Sequence, residues 1–293
     1  MNVIHCDDER VDYYCSFNFW LVAASQRDIE CEEKWRTDLE RLIAHPVKEP
    51  LIIRAFLGPP MTQGASRPIV SRAMDGYNYV LKGRQAGRQI INDQIVGRLG
   101  VLLGAPVPPI YIAEVDECLT NDPDEPEYHY FHSGLAHASQ FISGCMDDRD
   151  IFRYQGQLAN RSRFARLSVL YGWVEASDRQ FIYKSSSPNI VYSVDHGNFF
   201  PGGPNWTTGD LVRSSRAVLD PTIARICRFQ ATEIQEALTA LAEVSEREIL
   251  ETVARPPTEW GITIDERVSL VAYLVHRRQE LLKININSSG KEG

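Results

Sequence analysis

From residue 51 onward, apolar positions come in short runs broken by turn-forming residues. LIIRAFL (51–57), PIVSRAM (68–74) and YNYVLK (77–82) each have the length and the β-branched or aromatic content of a strand. GPPMTQGASRP joins the first two as a loop. Asp75-Gly76, between the second and third, is a hairpin turn, because glycine takes positive φ at little cost. The period then changes. In RQIINDQIVGRLGVLLGA (88–105), Ile90, Ile91, Ile95, Leu99, Leu102 and Leu103 recur at helical spacing, and Gly104 with Pro106, Pro108 and Pro109 stops the helix. PIYIAEV (109–115) returns as a strand. The acidic, proline-bearing DECLTNDPDEPEYHY reads as a solvated loop, and HASQFISG (137–144) as a fifth strand.

The remainder is helical in pattern. NRSRFARLSVLYGWVEA (160–176) is one helix, residues 222–254 hold two or three, and DERVSLVAYLVHRRQELLK (265–283) is the last. One stretch interrupts them, ASDRQFIYKSSSPNIVYSVDHGNFF (176–200), whose apolar run Ile190–Val194 ends in Asp195, His196 and Gly197. Before residue 50 the pattern is weaker. SFNFWLVAAS (16–25) fits a buried strand or short helix, and Trp35, Leu39, Leu42 and Ile43 have helical spacing. The pattern therefore predicts an α+β chain in four parts: an N-terminal extension (1–49), a strand-rich lobe with one helix (50–143), a mostly helical lobe (144–284) and a flexible polar tail (285–293).

Composition narrows the function classes. A formal charge of -8 and a pI near 5.4 argue against a general nucleic-acid binder, which is usually basic. No run of about 18 apolar residues is present to span a membrane. The start MNVIHCDDERVDYY has neither the basic nor the apolar region of a secretion signal. The six cysteines show no metal-finger spacing and read as reduced thiols. A soluble, cytoplasmic protein is the expectation.

Four sets of residues carry candidate chemistry. Lys82 ends the third strand, and Asp93 is the only acid in the helix that follows. The loop between the first two strands offers Thr62, Gln63, Gly64 and Ser66, whose backbone N–H groups and hydroxyls suit phosphate oxygens. Asp178 and Asp195 bracket the interrupting stretch. Phosphoryl transfer requires these types: a loop over the phosphates, a lysine on them, carboxylates for a divalent ion and an aspartate that orients the attacking hydroxyl.

In TQGASRPIV, YVLKG, INDQIVGRLGVLLGAPVPP, the SDR of residues 177–179 and VYSVDHGNFF, the chain resembles the HipA-like kinases, relatives of protein kinases and phosphatidylinositol kinases. PPTEWGI and VAYLVHRRQELL add a weaker echo, and the resemblance spans roughly residues 51–283. It implies a bilobal protein-kinase-like fold that uses ATP and Mg2+. Asp178 would be the catalytic aspartate of a loop in the second lobe, and Asp195 would ligate the metal. Lys82 would bind the α- and β-phosphates with Asp93 holding it, and the adenine would lie near Gln140 to Asp147. The default acceptor is a Ser/Thr hydroxyl on a protein; neither nucleic acid nor membrane is implied as a partner.

Two departures from the family pattern stand out. Active relatives usually carry asparagine five positions after the catalytic aspartate, where this chain has Tyr183; Asn189 or Asn198 would have to substitute at the metal. The helix acid is aspartate in place of the usual glutamate. A nucleotide-binding pseudokinase acting as a scaffold is therefore the alternative reading. Elsewhere, His129, His132 and His137 form a histidine-rich stretch that lacks metal-site spacing. Arg161, Arg163 and Arg166 read as a solvated helix face, and Trp206 and Trp260 as packing residues.

Overall fold

A computed structural model of the protein describes residues 30–45, 49–61, 66–147, 150–214 and 216–284. SFNFWLVAAS, the tail from 285, and Thr62, Gln63 and Gly64 lie outside the described residues.

Helix α1 (30–44) opens the described chain. Strands β1 (Leu51–Phe56), β2 (Ile69–Ala73) and β3 (Asn78–Lys82) follow, then α2 (Gln89–Leu103) and β4 (Ile110–Val115). The acidic stretch holds a short α3 (Glu117–Thr120) and a 3-10 turn, and β5 is Gly134–Gln140. The first five strands close into a barrel in the order β1-β2-β3-β5-β4, sealed by a parallel β1–β4 pairing. The β2–β3 hairpin turns as its sequence requires: Gly76 takes φ +86°, and Asp75 Oδ1 accepts the Tyr77 N–H at 2.9 Å. The fifth strand begins three residues earlier than HASQFISG suggested and ends at Gln140. Cys145–Asp147 belongs instead to a second sheet.

That second sheet is the antiparallel β6 (Cys145–Asp147), β7 (Gln180–Lys184) and β8 (Val191–Val194), with α4 (Leu158–Val174) running between β6 and β7. Helices α5 (Thr208–Arg213), α6 (Pro221–Cys227), α7 (Ala231–Glu243), α8 (Glu246–Ala254) and α9 (Ile264–Leu282) complete a strand-rich region followed by a helical one. Caps fix several helix starts. Asp220 precedes Pro221 and accepts the Ile223 N–H, and Thr263 with Glu266 forms a reciprocal capping box on α9.

Helix α2 departs from the amphipathic picture. It is buried nearly all round: barrel strands β4 and β5 cover one side, and α4, α7 and α8 the other. A helix buried on every side should be apolar throughout. Asn92, Asp93 and Gln94 break that rule at its centre. The extension before residue 50 is also less separate than expected, since Trp35 and Leu39 enter the main core and Trp35 Nε1 donates to Glu246 at 2.8 Å.

Candidate active site

The exposure rule for polar side chains explains why Asn92-Asp93-Gln94 matters. A buried polar group without a partner costs a few kcal/mol, so three in a row demand three sets of partners. Asn92 Nδ2 donates to the carbonyls of Gly197 (2.9 Å), Phe199 (2.7 Å) and Gly203 (3.3 Å), and its Oδ1 accepts from Trp206 Nε1 at 2.9 Å. Asp93 accepts from Lys82 Nζ at 2.8 Å and from the His196 backbone N–H at 2.7 Å. Gln94 pairs with His137 Nδ1 at 2.9 Å. One turn of α2 thus ties together β3, β5 and the segment after β8.

Lys82 is the centre of this arrangement. Its Nζ also donates to Asp195 at 2.6 Å, so one ammonium bridges two carboxylates while its side chain is 6 % exposed. Burial opposes the charged form of Lys82, but Asp93 and Asp195 outweigh it and hold the ammonium above its ordinary value. Burial likewise opposes the Asp93 carboxylate, and the Lys82 charge pulls it below the usual range.

Asp195 follows β8 with φ +58°, a left-handed conformation that aspartate tolerates better than most residues but that still marks a fixed, non-extended turn. Directly behind it, His196 is buried and neutral, its pKa pushed down to about 4 by desolvation. Its Nε2 meets Ser193 Oγ at 2.8 Å, and that hydroxyl meets Tyr171 Oη at 2.6 Å. Gly197 is required for space: a Cβ there would sit 2.8 Å from Gln89 Cβ and 3.3 Å from an Asp93 oxygen.

Lys82, Asp93 and Asp195 open onto a cleft of about 540 Å3 between the barrel and the second sheet. Val80 and Ile110 line its barrel side, Ile182 and Val194 the opposite side, and Gln140 to Ile142 with Cys145 to Asp147 the connecting edge. Met61 and Pro68, at the two ends of the phosphate-loop candidate, also line it. The loop is pinned at its base, where Met61 N donates to Pro68 O at 2.9 Å. Ser66 is buried at that base.

Asp178 lies just before β7. It accepts the Arg179 N–H at 2.8 Å and the Gln180 side-chain amide at 3.2 Å. Arg179 reaches the other way, to Asp220 at the head of α6. Ser177 Oγ donates to the Asn198 carbonyl, which joins this turn to the segment that follows Asp195.

Asn189 is not brought to the site, which corrects the metal role expected of it. It sits at the far end of the β7–β8 hairpin, where its Nδ2 donates to Lys184 O at 2.9 Å and its Oδ1 accepts from Gln157 at 3.2 Å. Tyr183 does not face the cleft either. Strand alternation places Gln180 and Ile182 toward the cleft and Phe181 and Tyr183 into the core. The Tyr183 hydroxyl donates to Ile151 O, and its ring stands against Tyr154. Gln180, unremarked in the sequence, is the amide that lines the cleft beside Asp178. Its signal was alternation, visible once 180–184 is read as a strand.

The other sequence candidates resolve into structure. His129 contacts Asp122 O, His132 is exposed, and His137 is buried in the cleft with its pKa lowered to about 4 by desolvation. Among the described residues no group of three His, Cys, Asp or Glu side chains has metal-site geometry. Arg161, Arg163 and Arg166 are not a solvated face: they bind Glu233 and Cys227 O, Val191 O, and Leu103 and Gly104 O respectively. Trp206 and Trp260 are buried packing residues whose indoles also donate, to Asn92 and to Leu135 O. Among the described residues no helix is long and apolar enough to cross a membrane.

Comparison with known proteins bears on this geometry. A sequence profile of HipA-like kinases matches residues 53–200. Among solved structures, the Helicobacter pylori proinflammatory kinase CtkA is similar, with a TM-score of 0.51 at 11% identity over 79% of this chain and 93% of that one. The Golgi casein kinase with Mn/ADP bound gives 0.48 at 12% identity, covering 84% and 75% of the two chains. No curated protein matches in sequence.

Proposed function

The chain belongs to the HipA-like kinase family, and from that premise we propose that it transfers the γ-phosphate of ATP, with Mg2+, to a hydroxyl, by default a Ser or Thr on a protein. The single observation that carries the reading is Lys82 held between Asp93 and Asp195 at the floor of the cleft.

The residues suit the group they would bind. The apolar faces of Val80, Ile110, Ile182 and Val194 match the two sides of a purine, with the edge from Gln140 to Asp147 beside it. Lys82 would contact the α- and β-phosphates, and the loop that holds Thr62, Gln63, Gly64 and Ser66 would cover them. A site with few protein carboxylates suits Mg2+, which is usually held by one or two carboxylates plus substrate phosphates. Asp195 would be the first of these ligands. When bound, Mg2+ would neutralise charge that develops on the transferred phosphoryl group.

The chain's own residues do the remainder. Asp93 fixes the Lys82 ammonium and, through the His196 N–H, the backbone that carries Asp195. Asp178 would accept and orient the acceptor hydroxyl proton, with Arg179 and Asp220 holding its turn. Gln180 would supply the side-chain oxygen that the family pattern expects from asparagine.

The alternative, a nucleotide-binding pseudokinase used as a scaffold, is favoured by one observation: neither Tyr183 nor Asn189 presents an oxygen to the cleft. Incubation with γ-labelled ATP and Mg2+ separates the two. Self- or substrate labelling that disappears in Asp178→Asn supports the enzyme. ATP binding without any transfer, in wild type and variant alike, supports the pseudokinase.

A further inference from the structure

Behind the cleft, across β4, lies a second cavity of about 390 Å3, and Ile110 borders both. Arg98 from α2 and Arg255 from the end of α8 both line it, each half-buried, together with Tyr111 and Thr252. Neither guanidinium has a carboxylate within ion-pairing distance among the described residues. Guanidinium charge is costly to remove from water, so two part-buried arginines beside one space with no carboxylate between them leave positive charge uncompensated there.

The two acids on the same rim are otherwise engaged. Glu251 accepts from Arg247 at 2.9 Å, and Glu248 closes the capping box with Ser245. The α8 dipole favours a cation at Arg255 but neutralises neither group. Consistent with this, burial and then the Arg255 charge push the Arg98 pKa down to about 10, with no carboxylate opposing them. With the Gln94 amide turned to suit both neighbours, its oxygen accepts from Arg98 at 2.7 and 2.8 Å while its nitrogen donates to His137 at 2.9 Å. The cavity is thus one hydrogen-bonded side chain from the cleft.

We propose that Arg98 and Arg255 form a binding site for a phosphate group, separate from the cleft. Both arginines line one space, and although Gln94 holds the Arg98 Nε and Nη2 hydrogens, a guanidinium carries further N–H donors that match phosphate oxygens. A phosphate monoester near its dianionic form balances two positive charges, which a single carboxylate cannot. The cavity also leaves room for the group to which the phosphate is attached. The site stands independently of the reaction proposed for the cleft.

The test is thermal unfolding of the full chain at pH 7.5, with and without sodium phosphate at constant ionic strength, in wild type, Arg255→Gln and Arg255→Lys. Phosphate is expected to raise the wild-type midpoint saturably, with sulfate substituting and chloride not. Without phosphate, Arg255→Gln should unfold at an equal or higher temperature, because it relieves the repulsion with Arg98. With phosphate, its apparent affinity should fall at least ~10-fold. Arg255→Lys, which keeps the charge but loses the fork, should lie between. Phosphate stabilisation of equal size in all three proteins would place the anion elsewhere and overturn the site, as would no response in wild type. If Arg255→Gln does not fold, Arg255→Lys still decides: a wild-type response in that variant overturns the site.

Discussion

Asp195 lines the cleft and Asp178 stands next to it, bonded to the lining residue Gln180, and the two are held in opposite ways. Asp195 is gripped from several sides: by a left-handed turn, by the Lys82 ion pair, and by a backbone that Asp93 fixes at His196. Asp178 sits half-buried on a short turn, bonded among the described residues to the two that follow it, with Arg179 anchored to Asp220 behind. At the first, site geometry and fold stability are the same interactions, so a change there damages both. At the second they separate, and a side chain can be altered while the fold stays.

Breaking the gripped end should have the largest effect. Lys82→Met leaves Asp93 buried beside no cation, and loss of one partner of a buried pair costs about 3–5 kcal/mol. Urea unfolding reads this directly. A loss under about 1 kcal/mol would mean that the His196 N–H alone satisfies Asp93.

Tyr183→Asn comes next. If this position faced the metal, asparagine would restore the family pattern and raise activity. Because Tyr183 is packed in the core against Tyr154, the substitution should instead destabilise by about 3 kcal/mol, as other large-to-small core changes do. Denaturation and labelling of the same sample separate the outcomes.

The third probe is pH. His137 is neutral in the fold, with a pKa near 4 against 6.5 when exposed. Its contribution is complete above about pH 6.5 and is lost as pH falls toward 4, because the unfolded chain binds the proton first. By pH 5 that is roughly 2 kcal/mol. His137→Gln should reduce the loss of stability between pH 8 and pH 5 by about that amount and leave the share of His196, which is buried and neutral in the same way; an unchanged slope would assign the acid sensitivity to other groups.

The smallest stability effect belongs to the lightly held end. Asp178→Asn should move stability by about 0.5 kcal/mol or less while abolishing phosphate transfer. Transfer at the wild-type rate would remove Asp178 from its role.

This contrast also explains what the sequence could and could not disclose. Barrel strands, the Asp75-Gly76 turn and the stop at Gly104 were legible because each is a local rule: alternation, positive φ, a helix cap. The Lys82, Asp93 and Asp195 triad was legible as residue types in order along the chain. The burial that makes those charges pair was not, since it arises when α2 is enclosed by barrel and helices together. Counting five residues from Asp178 pointed to Tyr183, but β7 begins at Gln180, and an odd offset along a strand lands on the opposite face. Asn189 failed for a related reason: the hairpin carries it to the far end of β7 and β8. The arginines of α4 looked like a solvent face because their carbonyl partners come from segments 28 to 66 residues away.

The Lys82 end of the cleft is proposed to bind the phosphates of ATP together with Mg2+. Thermal unfolding with ATP, each time with and without Mg2+, in wild type and Asp195→Ala, tests it most directly. A ligand that binds only the folded state adds about 2.7 kcal/mol at 100 times its Kd. A midpoint rise is expected in wild type that needs both ATP and Mg2+ and that disappears in Asp195→Ala. No rise in wild type, or an equal rise in both proteins, would contradict it.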